Sequence, residues 1–154
     1  MTPIHAPDGS LVGWYDGTHV FDRRLEWVAF QRGGHLFSCR DAEWLGPLGG
    51  GSLLDRSGRV VAWLAGSVPA GALAPGRPMR PQRPLPPRRP LYPPEPGRPG
   101  MPASPVGGWS ALGWLEWLGL APPPAPAPAP EAQAPGDEAG EISKLSSNPN
   151  QSET

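Results

Sequence analysis

The chain has 154 residues and a net charge of −1, of which 25 are Pro and 21 are Gly, so much of its length is unsuited to helices or strand interiors. One cysteine, Cys39, excludes an internal disulfide, and Trp109–Ala121, the longest apolar stretch, is too short to span a bilayer. Charge is segregated: residues 1–67 carry six Arg against seven acids, 68–108 carry six Arg against one Glu, and 109–154 carry one Lys against six acids.

The first 67 residues repeat. Val12, Val28, Leu45 and Val61 recur at steps of 16, 17 and 16 residues. Each is followed by a small residue (Gly13, Ala29, Gly46, Ala62), then by Trp14, Phe30, Pro47 or Trp63. Gly17, Gly33, Gly50 and Gly66 close the motif, and Ile4, Val20, Leu36 and Leu53 form an apolar column upstream. Each copy reads as two short strands joined by a turn, as in PDGS (7–10) and RSGR (56–59). Strict alternation places the first and third columns, such as Val12 and Trp14, on one face and the small column on the other. Pro47 lacks a ladder donor, so the third copy is expected to be irregular or at an edge. No single hairpin covers its own apolar face, so residues 1–67 are predicted to be all-β, with four hairpins gathered about a pseudo-fourfold centre into a closed or nearly closed unit.

Residues 68–108 follow. Every third residue from Pro75 to Pro105 is proline, the phase of a polyproline II screw, which turns once per three residues. The column before the prolines holds Arg77, Arg80, Arg83, Arg89 and Tyr92, and the column after holds Met79, Leu85 and Leu91. This tract is expected to pack on the hairpins or on another copy with Met79, Leu85 and Leu91 inward, or to serve as a stiff linker. PLPPRR (84–89) fits a groove-binding PxxPxR pattern, but such patterns arise easily in Pro/Arg tracts. The arginine edge could meet an anionic surface, nucleic acid or lipid. Tyr92 is the only stacking aromatic beside it, which disfavours nucleic acid.

In WSALGWLEWLGLA (109–121), Trp109, Leu112, Leu115 and Leu118 have near-helical spacing, Trp114 and Trp117 widen the apolar surface, and Ser110 suits an N-cap. Docking onto the hairpin unit is expected, because a small β unit gains stability from added apolar surface. Residues 122–154, rich in Ala-Pro and then acidic, are expected to be disordered.

VGWYDG (12–17), VAFQRG (28–33), LGPLGG (45–50) and VAWLAG (61–66), followed by the proline tract and Trp109-Ser110, resemble the bacterial 4-fold beta flower proteins. The resemblance covers about residues 3–110 and implies a fold without an activity.

Little in the chain carries chemistry. His19 and His35 share a repeat column near the symmetry axis, but with His5 and Cys39 they lack metal-ligand spacing, so neither metal nor cofactor is expected. Asp22 and Asp55 sit beside turns, where Asp caps its own backbone. Nothing supports a reactive Cys39, and the N-terminus lacks a basic segment followed by an apolar run, which leaves a cytoplasmic location as the expectation. The reading is a non-enzymatic interaction or scaffold module. It would bind a protein partner or itself through Arg77, Arg80, Arg83, Arg89, Tyr92, Trp109, Trp114 and Trp117, with an anionic-surface binder and a small-ligand or enzymatic site at the symmetry axis as alternatives.

Overall fold

The computed structural model describes residues 1–71, 75–78, 81–82, 84–85, 87–88, 95–97, 99–100 and 105–120. Eight antiparallel strands run β1 (Thr2–His5), β2 (Leu11–Tyr15), β3 (His19–Asp22), β4 (Trp27–Arg32), β5 (His35–Ser38), β6 (Trp44–Gly49), β7 (Ser52–Leu54) and β8 (Val60–Leu64). They pair in sequence order, and β1 also pairs with β8, closing a barrel. Closure leaves no edge, so Pro47 is not an edge residue. It stands opposite His35, and the β6–β7 ladder is left with two pairs, Leu48–Leu53 and Gly49–Ser52.

Each hairpin carries the same β-bulge. Ile4 pairs with Gly13 but His5 pairs with Leu11, so Val12 is the extra residue; Val28, Leu45 and Val61 are skipped in the same way. The bulge breaks the alternation that would place Val12 with Trp14. Val12 and its equivalents join the inner core with Ile4, Val20, Leu36 and Leu53. The small residues pair across the ladder with those four branched side chains (Ile4–Gly13, Val20–Ala29, Leu36–Gly46, Leu53–Ala62). An eight-stranded barrel has room for little more than such a filling. A Cβ on Gly13 or Gly46 would overlap the carbonyl oxygen of Phe21 or Leu54, so the neighbouring backbone excludes even alanine. The third-column aromatics face outward: Phe30 stacks on Phe37 at 5.6 Å between ring centroids, beside Trp27 and Trp44.

The four hairpin tips lie at one end and share one turn. Ala6, Asp22 and Asp55 each bond the residue four positions on, and Ser38 spans one residue more. The left-handed position is Gly9, Leu25 (φ 66°), Ala42 (φ 57°) or Gly58. Asp22 accepts the backbone N–H groups of Arg24 and Glu26, as expected of a turn cap.

The outward aromatics Trp14, Phe21, Phe30, Phe37 and Trp63 are nevertheless buried, and the described parts of the proline tract lie against the barrel. Gly76 N–H bonds the Pro7 carbonyl at the first tip, Gly97 N–H the Ala42 carbonyl at the third, and Val106 N–H the Gly58 carbonyl at the fourth. The described parts of the tract thus meet the first, third and fourth hairpins in chain order, and are called the collar below. Pro81, Pro84, Pro87 and Pro96 are half-buried, while Leu85 is 87% exposed. The expectation of Leu85 facing inward is thus corrected: Pro81, Pro84, Pro87 and Pro96 turn toward the barrel, whereas Pro78, Pro99 and Pro105 of the same column are exposed. Met79 and Leu91 lie outside the described residues, as does the 122–154 tail.

Candidate functional site

The hairpin tips surround a mouth, and the segment after the collar fills it. Trp109 forms a parallel bridge with Val60, and Ser110 N–H bonds the Val60 carbonyl. Ser110 Oγ donates to Asp55 Oδ2 at 2.5 Å and accepts from Leu112 N–H at 3.1 Å, so it holds a bend rather than a helix N-cap. The helix is a single turn, α1 (Trp114–Trp117). Gly113 is its N-cap, and Glu116 Oε2 accepts the Gly113 N–H at 2.8 Å. Gly107, Gly108, Gly113 and Gly119 confine regular helix to this turn.

α1 seats its tryptophans in the mouth. Trp117, 4% exposed, packs with Leu118 on the inner core, and its Nε1 donates to the Leu45 carbonyl at 3.2 Å. The Trp114 ring lies over Gly13 and 5.3 Å from that of Trp117. Arg40 donates to the Gly119 carbonyl at 3.2 Å. This plug leaves Leu112, Leu115 and Leu120 between 45% and 54% exposed.

Two grooves flank the plug. One, of about 460 Å³, has a floor of Leu45, Trp117 and Leu118 and a rim with Arg40, Asp41 and Glu43. Arg56 Nη2 pairs with Glu43 at 2.5 Å beside it. The other, of about 1000 Å³, has Leu11, Val12 and Trp114 below and Arg23 and Arg24 on its rim. Burial raises the Asp55 carboxyl, but hydrogen bonds from Ser110, from Ser57 and from the Arg59 N–H outweigh it and hold the group below its ordinary value. Burial lowers the His5 imidazole, whose ring lies 5.2 Å from Trp63 on the outer face. Burial raises the Cys39 thiol, and its Sγ donates to the Trp27 carbonyl.

The structure thus brings Trp114 and Trp117 together at the mouth, while Trp109 is tied to Val60 at the fourth hairpin. Arg77 is exposed on the collar beside the first tip; Arg80, Arg83, Arg89 and Tyr92 lie outside the described residues. His19 and His35 do not meet at the axis. His19 Nδ1 faces Asp16 Oδ2 at 3.1 Å, and His35 accepts from Trp44 Nε1 at 3.3 Å. Among the described residues no three His, Cys, Asp or Glu side chains converge to hold a metal ion, and no helix is long and apolar enough to cross a membrane. Sequence reading missed the rim residues Arg23, Arg24, Asp41 and Glu43. The signal was available: four successive hairpins that close a barrel must place all four tips at one end.

A sequence model of the 4-fold beta flower protein family matches residues 2–118, and the chain belongs to that family. The match spans the barrel, the collar and the plug, and the family's description names a shape rather than an activity. No curated protein and no solved structure matches the chain.

Proposed function

We propose that the chain is a non-enzymatic interaction module that binds a protein partner or itself, and that its binding face is the plugged mouth. The observation that carries this reading is the exposure of Leu112, Leu115 and Leu120 on a segment whose tryptophans are seated. Apolar side chains displayed around two grooves with charged rims are the usual make-up of a protein-binding patch. The filling of the barrel axis by branched aliphatic side chains, with Trp117 and Leu118 packed on them, supports the same reading.

A second reading, an anionic-surface binder, rests on Arg77 and Arg88, both exposed on the collar. The two readings separate in a pull-down of the tagged full chain from its own cell extract. The interaction module expects a defined set of proteins that is lost on Leu112→Asp/Leu115→Asp and kept on Arg77→Glu/Arg88→Glu. Retention lost with the arginines, or removed by nuclease, would support the anionic reading instead.

A further inference from the structure

We infer that the mouth face is a two-fold interface between copies of this chain, in which the groove beside the second hairpin tip receives the Leu112–Leu115 ridge of a second copy. This rests on the mouth being the binding face and names the partner. The ridge stands between the two grooves, so a copy shifted sideways by one groove drops its ridge into the hollow beside the first. A two-fold axis makes that contact twice.

The chemistry of ridge and groove is self-complementary. Leu115, 54% exposed, would meet a floor of Leu11 and Val12, both half-buried. Glu116 is exposed on the ridge, and among the described residues only its Oε2 is engaged, by the Gly113 N–H. Its other oxygen is left for a cation. Arg23 and Arg24 are exposed on the opposite rim, and neither joins an ion pair among the described residues. The face therefore carries both an apolar ridge with an acid and an apolar groove with two arginines. A partner with the same two features satisfies both at once, which is what a second copy offers.

The test is sedimentation equilibrium of the full chain, with thermal unfolding of each variant alongside. The wild type is expected to be a dimer whose dissociation constant weakens with added salt. Leu115→Asp and Arg23→Glu/Arg24→Glu are each expected to weaken it by roughly tenfold or more. Glu116→Gln, which keeps an acceptor for Gly113 N–H but removes the charge, is expected to weaken it less, and all three should melt near the wild type. A wild type that stays monomeric at high micromolar concentration overturns the inference, as does a dimer indifferent to all three variants. A monomer whose Leu115→Asp variant loses a captured partner would overturn the dimer and leave the interaction reading standing, with a different protein as occupant.

Discussion

Trp117 Nε1 donates to the Leu45 carbonyl oxygen across 3.2 Å, and so ties the plug to the bulged residue of the third hairpin. The bond joins the helical turn to a strand 72 residues earlier. Trp117→Ala is expected to cost about 3–5 kcal/mol through the void it leaves. Trp117→Phe keeps most of the apolar burial, leaves the Leu45 carbonyl without its donor, and is expected to cost about 1–3 kcal/mol. Urea unfolding followed by far-UV circular dichroism measures both, and an alanine variant as stable as wild type would mean that the indole is not seated.

The inner glycines give a second comparison. Gly13→Ala and Gly46→Ala press a methyl group onto the carbonyls of Phe21 and Leu54. Each is expected to cost about 1–3 kcal/mol or more, as overpacking does. Gly49 lies on β6, where a Cβ would meet nothing within 4 Å. Gly49→Ala is expected to be within about 0.5 kcal/mol of wild type. Equal losses at the three positions would contradict the bulged register.

Four hairpins in a ring were legible because the columns repeat: Ile4, Val20, Leu36 and Leu53 need a shared centre. The bulge was not legible as such, although a small residue inside every second strand is its usual mark. Alternation therefore assigned Val12 and Trp14 to one face, and the extra residue at Val12 separated them. The direction of the collar was also hidden. A three-residue period gives three edges but does not say which faces inward, and around Leu85 it is Pro84 and Pro87 that are half-buried. Docking of 109–121 was readable, but its seated face was not: of the near-helical stripe Leu112 and Leu115 are exposed, and Trp114 and Trp117 pack on the core with Leu118. The exposed rim follows from the barrel's closure, which brings Arg23, Arg24, Asp41 and Glu43 to one end, but no column of the repeat marks those residues.

The turns supply a third prediction. Leu25 holds φ 66° at the position where Gly9 and Gly58 stand in the first and fourth hairpins. Left-handed backbone costs a non-glycine residue about 1–2 kcal/mol. Leu25→Gly is therefore expected to be neutral or slightly stabilising, and Gly58→Leu to lose at least about 1–2 kcal/mol, from the same strain and because Gly58 is buried. Thermal unfolding of the two variants checks this, and a Gly58→Leu protein as stable as wild type would deny the shared turn.

Acid should weaken the fold in two stages. The folded His5 imidazole lies below its ordinary 6.5 through burial. The folded Asp55 carboxyl lies below 3.8, hydrogen bonds outweighing burial. A group depressed in the folded state stabilises it above the unfolded value and loses that contribution as pH falls through the folded one. Stability should therefore begin to fall below about pH 6.5 through His5 and fall further below about pH 4 through Asp55. Urea midpoints against pH are expected to lose the upper stage in His5→Phe and only part of the lower stage in Asp55→Asn, because the Asp16 carboxyl, which burial raises, is likewise held below its ordinary value by hydrogen bonds from the His19 and Thr18 N–H groups. Asp55→Asn should also be less stable at neutral pH, because it weakens the bonds to Ser110 and Ser57. Stability that rises on acidification would contradict both assignments.

The central claim is that barrel, collar and plug fold as one unit, which is what presents the mouth face. It is tested most directly by equilibrium urea unfolding of the full chain beside chains ending at residues 120 and 67. The 120-residue chain is expected to keep the full-length midpoint. The 67-residue chain, whose outer aromatics and mouth would be bare, should lose its cooperative transition. A 67-residue chain that unfolds cooperatively at the full-length midpoint would contradict it.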